Sequence, residues 1–221
     1  LGADLAIRAR REITTEELAA VRNLLLSNSK EIEAVDFFSM AAGPTGSSRL
    51  VKIIAFDQGF PFYGKIETNL RGPITGEEKN LIHERPFVWI YPELRGQLNI
   101  DLGEELKIGE TKFIVSDLIK EDTGLSFQPA ELAPKVFISK KFLEKTKLLT
   151  TGNTAFRNHL FKLPPDADLE KITNSITAAL LSPEVRVYSH QRVGNRAGRL
   201  LRYLSDFLGL VSLVALFLAT L

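Results

Sequence analysis

Two parts of the chain show an alternation between strand-like and helix-like hydrophobic patterns. Near the N-terminus, residues 3–9, 33–40 and 49–56 alternate with a period of two, which predicts three strands. Thr14 and Glu17 have the spacing of a capping box, and the apolar residues after them recur at helical spacing. The turn-rich stretch 43–48 separates the second and third strands. The pattern therefore predicts strand, helix, strand, strand.

The C-terminal third repeats this order. Residues 155–163 and 185–189 are strand-like, and between them lies a helical pattern that either Asp166 or Asp168 can cap. Two βαβ-like units thus bracket the chain, and crossovers of this kind usually place both strands in one sheet. We therefore predict an α+β fold in which residues 1–84 and 129–191 form one subdomain.

The middle of the chain has a different pattern. Apolar stretches at residues 87–91, 98–102, 106–108 and 113–115 are short and are separated by turns such as Gly109-Glu110. This spacing predicts a small barrel or β-rich insertion over residues 85–128. A strand over residues 134–139 and a short helix over 140–145 lead back to the first subdomain.

The chain finishes with a charged stretch followed by an apolar one. Residues 207–221 carry no charge, and as a helix they would reach about 22 Å, short of the ~30 Å hydrocarbon core of a membrane. The run is apolar on all sides, which favours the beginning of a transmembrane helix over a buried core helix. We assign residues 192–221 to a stalk and a truncated transmembrane helix. The candidate stalk or lipid-phosphate contacts are Arg192, Arg196, Arg199 and Arg202, and the candidate membrane-entry residues are Phe207, Leu208, Leu210, Val211 and Leu213.

Composition excludes some classes of function. The 28 Lys and Arg residues nearly balance the 27 Asp and Glu residues, so no basic field for nucleic acid is present, and no nucleic-acid partner is predicted. The chain has no Cys, which removes disulfides, thiolate metal sites and a Cys nucleophile. Cysteine content does not decide the compartment.

Catalytic patterns are weak. Pro86 interrupts the helix that His83-Glu84 would need for a zinc motif, and Ser189 and His190 are strand neighbours whose side chains point to opposite faces. We predict no catalytic, cofactor-binding or metal-binding residues and no enzymatic activity. The aromatic residues around Pro61 have two interpretations, a hydrophobic plug under a loop or an apolar docking surface; they are Phe56, Phe60, Phe62 and Tyr63.

Seven short segments occur in an order that resembles one protein family. They are residues 7–11 with the capped helix after them, 38–41, 48–51, 60–64, 88–94, 102–109 and 133–137. Together they resemble the large extracytoplasmic domain of MacB/FtsX-type ABC transporter permeases, in the YbbP-like branch. The resemblance implies a MacB-like periplasmic core, with a βαβ porter-type subdomain and the β-rich insertion.

The resemblance also implies a location and partners. The domain would lie on the periplasmic side of the bacterial inner membrane, in a dimeric permease in contact with membrane lipid. A separate cytoplasmic ABC ATPase subunit would bind ATP, and the domain would relay its motion to the export or extraction of a hydrophobic or lipid-like substrate. Arginines beside a span usually mark the cytoplasmic side, but long domains are exported largely regardless of charge.

Two other functions stay open at this point. One is an FtsX-like regulatory domain that binds and activates an envelope hydrolase, with an esterase or lysophospholipase as the candidate partner. The other is a membrane-anchored lipid esterase. Hydrolase binding by the isolated domain would favour the first, and ester turnover that depends on one Ser or His would favour the second.

Overall fold

The structure is a computed structural model of the chain. It describes residues 2–74, 78–122, 133–149, 154–180, 182–189, 203, 205–209 and 211–212, with the backbone alone for 78–80. Eleven strands and four α-helices have assigned bounds in this part of the chain, and the described residues between 203 and 212 are also helical. The strands are β1 (Leu5–Ala9), β2 (Lys30–Ala42), β3 (Ser48–Phe56), β4 (Ile66–Thr68), β5 (Gly72–Pro73), β6 (Phe87–Ile90), β7 (Glu105–Ile108), β8 (Thr111–Asp122), β9 (Lys135–Ser139), β10 (Phe156–Lys162) and β11 (Arg186–Ser189). The helices are α1 (Thr15–Leu24), α2 (Glu78–Glu84), α3 (Pro92–Leu98) and α4 (Leu169–Ala179).

The two βαβ units are interleaved. β10 lies between β1 and β2 and is antiparallel to both, and β1 lies between β10 and β11. Each unit therefore supplies the strand that separates the two strands of the other, an arrangement known as a split βαβ. Neither half can complete its part of the sheet alone. This confirms the prediction of one α+β fold built from both ends of the chain.

Helices α1 and α4 contact each other and cover one face of these four strands. Leu5, Ile7 and Phe161 point from the sheet into this layer, where Val21 of α1 and Ile176 of α4 meet them. Asp168, one of the two predicted caps, accepts a hydrogen bond from the Lys171 amide and starts α4. The apolar faces predicted for the two helices are thus the faces that are buried.

The central strands close on themselves. β2 pairs with β3, and the ring continues through β9, β6, β8 and β7 before β7 returns to β2. Its interior is filled by apolar side chains from every strand, among them Phe37, Val51, Phe113 and Ile138. β2, β3 and β9 come from the predicted porter-type segments, and β6, β7 and β8 from the predicted insertion. Both segments therefore build one ring, and the division into subdomains stays a prediction.

One local prediction in the middle of the chain is wrong. Residues 98–102 were expected to form a strand, but Leu98 is the last residue of α3. This helix begins with Pro92, because a missing backbone amide is tolerated in the first turn. It stops at Asn99, which has a left-handed backbone with a φ of 48°. The short helix expected over 140–145 is present, as two consecutive 3-10 turns, Lys140–Phe142 and Glu144–Thr146. Leu94 and Leu98 are buried, so the apolar pattern was correct and its period was misjudged.

The capping box of α1 is present as the sequence predicts. The Thr14 hydroxyl accepts from the Glu17 amide at 3.2 Å, and the Glu17 carboxylate accepts from the Thr14 amide at 2.9 Å. Arg11 also binds this carboxylate, and its hydrogen bonds lower the pKa of Glu17 to about 2. The start of the helix is thereby linked to the strand before it.

Thr14→Ala is expected to lower the free energy of unfolding by about 0.5–2 kcal/mol, because a first-turn amide loses its acceptor. Thr15→Ala, one residue inside the helix at an exposed position, serves as the control and should change it by less than ~0.5 kcal/mol. Urea unfolding monitored by circular dichroism measures both. Equal stability of the two variants would show that the cap contributes nothing.

Candidate functional site

A line of buried charged and polar side chains crosses the sheet. Arg8 of β1, Asp36 of β2 and Lys52 of β3 stand on neighbouring parts of one face, and Asn158 of β10 lies between the first two. Each of these residues is at most 7 % exposed. We call Arg8, Asn158, Asp36, Lys52, Lys135 and Asp122 the buried polar line.

Asp36 is the centre of this line. Its carboxylate accepts from the Arg8 guanidinium at 3.0 Å and from the Asn158 amide at 2.8 Å, and the Lys52 ammonium lies 3.8 Å away. Burial lowers the pKa of Arg8, and the Asp36 carboxylate opposes that shift. Further along, the Lys135 ammonium donates to Asp122 at 2.9 Å. Charges buried this deeply are retained only when they are paired, so these ion pairs hold β1 to β2 across β10, β2 to β3, and β9 to β8 across β6.

The buried polar line was not predicted from the sequence. Lys52 lies on the same face of β3 as Ile54 and Phe56, and all three residues are buried. The available signal was a charge directly beside apolar residues in each of three strands, at Asp36, Lys52 and Lys135. A charge at a buried position of a strand indicates an ion pair with another strand.

A cleft of about 550 Å³ lies at the other end of the same face. It is lined by Ile32, Gln58, His83, Ser139 and charged residues, which are Glu31, Asp57, Lys140, Lys141 and Glu144. Lys140 reaches from the first 3-10 turn to Glu33 and Asp57. Burial raises the pKa of Glu33, but the hydrogen bond and charge of Lys140 and the charges of His159 and Arg157 together outweigh it, and the net shift is downward. The acidic and basic groups of the cleft therefore largely neutralise one another.

His83 and Ser139 form a close pair in the wall of this cleft. His83 Nδ1 lies 2.6 Å from Ser139 Oγ, a distance that a nucleophile and its base would also have. Ser139 has no exposed surface, however, and its Oγ accepts the Lys141 amide at 3.2 Å as the cap of a 3-10 turn. An incoming carbonyl carbon cannot reach that oxygen in this conformation, so the pair joins α2 to β9. The two residues are 56 positions apart, and no sequence motif links them.

The aromatic residues singled out in the sequence do not form one exposed surface. Phe56 and Phe60 are each 1 % exposed and pack with ring centroids 5.2 Å apart, so neither can contact a partner. Phe62 is half-buried against the same core, and Tyr63 is exposed. The Tyr63 hydroxyl donates to Asp4 at 2.9 Å and fastens the loop to β1. These contacts correspond to the alternative interpretation, a hydrophobic plug under a loop.

A different group of apolar side chains is exposed. Phe38, Met40 and Leu50 lie on one face of the β2–β3 hairpin, and Met40 and Leu50 are directly opposite each other. They are between 45 and 51 % exposed. No role was predicted for these three side chains from the sequence.

The other candidate positions are placed only in part. Ser189 is buried, and His190 lies outside the described residues. His159 is buried and its Nδ1 lies 2.8 Å from Glu31, whose pKa this contact lowers to about 2. Three of the predicted membrane-entry residues, Phe207, Leu208 and Val211, are helical and exposed. The positions outside the described residues are Leu210, Leu213, Arg192, Arg196, Arg199 and Arg202.

Within the described part of the chain, no helix is both long enough and apolar enough to cross a membrane. Nor do three His, Asp or Glu side chains of that part lie close enough together to hold a metal ion.

Comparison with solved structures identifies the class of fold. The chain is similar to the periplasmic region of MacB from Actinobacillus actinomycetemcomitans, with a TM-score of 0.54 and 9 % identity, over 89 % of this chain and 94 % of that one. It is also similar to the extracellular domain of the noncanonic ABC-type transporter YknZ from Gram-positive bacteria, with a TM-score of 0.53 and 11 % identity. That match covers 83 % of this chain and 100 % of the other. The chain therefore has the α+β fold of MacB-like periplasmic domains.

Sequence comparison adds a particular relative. The chain is 24 % identical over 220 residues to the uncharacterized ABC transporter permease YbbP of Escherichia coli (strain K12). The match covers 99 % of this chain and 26 % of YbbP, so the chain spans about a quarter of that relative. No family model matches the sequence. Together the comparisons confirm the resemblance predicted from the ordered segments.

Proposed function

We propose that the chain is the extracytoplasmic domain of an ABC transporter permease in the bacterial inner membrane. In this function it relays ATPase-driven motion to the export or extraction of a hydrophobic or lipid-like substrate, and it performs no chemistry itself. The observation that carries the proposal is the fold, which is shared along most of the chain with the MacB and YknZ domains.

The position of the first and last described strands supports this proposal. β1 and β11 are antiparallel neighbours, and Leu5 at the start of β1 is the partner of Ser189 at the end of β11. The chain therefore enters and leaves the sheet at one place. A domain inserted between two consecutive membrane helices needs its entry and exit close together in this way.

The continuous sheet gives the domain a means of transmitting motion. Strand pairing connects β11 and β1 through β10 and β2 to the closed ring. The buried polar line ties β1, β10, β2 and β3 together by Asp36. A displacement applied at the β1–β11 edge is thus expected to move the ring and the β2–β3 hairpin as one body, because packed cores resist deformation.

The test uses the full-length permease reconstituted with its ATPase subunit. Thr45 lies at the exposed tip of the β2–β3 hairpin, and the absence of Cys from these 221 residues makes Thr45→Cys a specific labelling site within them. We expect ATP to change the distance between spin labels on the two protomers of the dimer. A Thr45–Glu16 label pair within one domain serves as the control and should keep its distance.

Three outcomes separate the functions. A distance that ATP does not change, in a complex that hydrolyses ATP, would contradict the relay. Transfer of a fluorescent phospholipid out of the vesicles only when ATP is hydrolysed would support a lipid-like substrate. Activation of a purified envelope hydrolase by the domain, with no change in the inter-protomer distance, would instead support the FtsX-like regulatory function.

A further inference from the structure

We infer that His83 is a pH-sensitive latch: its neutral imidazole holds α2 against the sheet, and protonation of the ring releases α2 and widens the cleft. This inference goes beyond the transport function and does not depend on it. It rests on the burial of the ring, on its contacts, and on the groups around it.

The His83 ring is enclosed on the sides that the structure describes. The residue is 6 % exposed, in the last turn of α2, next to the fully buried Ile82. Phe56 packs against the ring nearly edge-on, with centroids 5.4 Å apart and planes at 86°. α2 in turn packs on β6 and β9. The imidazole therefore lies under the helix and not in the open part of the cleft.

The hydrogen bonds of the ring suit the neutral form only. Nδ1 is paired with Ser139 Oγ, and Nε2 is buried without a hydrogen-bond partner in the described part of the chain. A protonated imidazole carries hydrogens on both nitrogens, so Nε2 would present a charged donor with no acceptor. Nδ1 would have to donate to Ser139 Oγ, and the Ser139 hydroxyl proton would then need another acceptor. Leaving a charged donor buried and unsatisfied is more costly than leaving a neutral one, so the charged ring must move to water.

The surrounding charges do not compensate for this loss. Burial lowers the pKa of His83 from 6.5, Asp57 opposes the shift, and Lys141 adds to it. Asp57 is already paired with Lys140. The remaining charged groups around the cleft are Glu31 of β2, Glu144 of the second 3-10 turn, and Glu84 on α2 itself.

The direction of the pH effect follows from the lowered pKa. Above 6.5 the ring is neutral whether α2 is docked or released, so the docked state is fully favoured. As pH falls below 6.5, the released state binds the proton more readily and docking weakens, by up to about tenfold per pH unit. Glu31, with a pKa of about 2, stays ionised through this range, so its pairs with Arg22 and His159 are kept.

Two readouts on the 221-residue chain test the latch. The first is amide hydrogen exchange of α2, corrected for intrinsic rates, between pH 7.5 and 5.5. We expect the opening constant of α2 to rise by up to about tenfold for each pH unit below 6.5. The opening constants of the β10 amides should not change with pH. The second is the fluorescence emission of Trp89, the only tryptophan in the sequence. Trp89 is 2 % exposed, and its ring centroid lies 6.1 Å from that of Phe56. The emission should shift to longer wavelength over the same pH range.

Variants distinguish the latch from a general acid effect. His83→Asn can keep a hydrogen bond to Ser139 but cannot be protonated, so its α2 exchange should not depend on pH. His159→Asn, at a second buried histidine paired with Glu31, is the control and should retain the wild-type pH response. If His83→Asn does not fold, the titration of the wild-type His83 ring is followed by NMR instead. We expect the midpoint of that titration to lie below pH 6.5. Three results would overturn the latch. They are α2 exchange that does not depend on pH in the wild type, α2 exchange in His83→Asn with the same pH dependence as the wild type, and a His83 titration midpoint at or above pH 6.5.

Discussion

Asp36→Asn is expected to lower the free energy of unfolding by about 3 kcal/mol or more, although the two side chains have nearly the same size. The substitution removes the negative charge that the Arg8 guanidinium and the Lys52 ammonium share inside the sheet. Two buried cations would then face each other across a neutral amide. Taking away one member of a buried ion pair is strongly destabilising, because the remaining charges have lost the solvation that water gave them.

An exposed ion pair provides the control for this experiment. Glu105 and Lys112 lie 2.7 Å apart on the β7–β8 hairpin, and their side chains are 55 and 65 % exposed. Glu105→Gln should therefore change stability by less than ~1 kcal/mol. Urea unfolding with equal slopes for all variants measures the difference. If Asp36→Asn were as mild as the control, the buried polar line would not hold the strands together.

Gly109→Ala is expected to lower the free energy of unfolding by about 2–4 kcal/mol, from steric overlap and a strained backbone together. Gly109 has a φ of 57° at the turn between β7 and β8. A methyl group there would lie 2.2 Å from the backbone oxygen of Thr146 and 2.8 Å from Leu148 Cγ. The turn is already bonded to this segment through the Glu110 amide and the Thr146 oxygen, at 3.0 Å. The backbone of both segments would have to separate.

Gly103 allows the two contributions to be measured apart. It also has a left-handed backbone, with a φ of 87°, but no atom lies within 4 Å of the position that its methyl group would take. Gly103→Ala should therefore cost only the conformational part, about 1–2 kcal/mol. Denaturant unfolding of both variants gives the cost of the overlap as the difference between them. Equal losses would mean that the segment at Thr146 adapts freely to the added methyl group.

Local features of the fold were readable from the sequence. The capping box at Thr14, the cap at Asp168 and most of the strands depend on residues a few positions apart, so their patterns carry the information directly. One of the wrong predictions also concerned local structure. Residues 98–102 contain too few apolar positions to distinguish the end of a helix from a short strand, and Asn99 gave the only stop signal.

The candidate site depended on contacts between distant parts of the chain. Phe56 and Phe60 looked like an apolar surface because they are concentrated in sequence, but the loop folds back and buries them against Phe137 and Trp89. Phe56 and Phe60 therefore belong to the core, whereas Tyr63 stays exposed.

By itself, the sequence determined the elements of the two βαβ units, most of the other strands and the α+β class, but not α2 and α3, because hydrophobic periodicity and capping act within about ten residues. The resemblance to MacB-like domains came from the order of short segments. The tertiary structure decided which strands are neighbours: β10 enters between β1 and β2, and the ring closes through β7. It also brought Asp36 to Arg8 and His83 to Ser139. These pairings join residues 28 and 56 positions apart, and burial, which sets their energies, exists only once the sheet has formed.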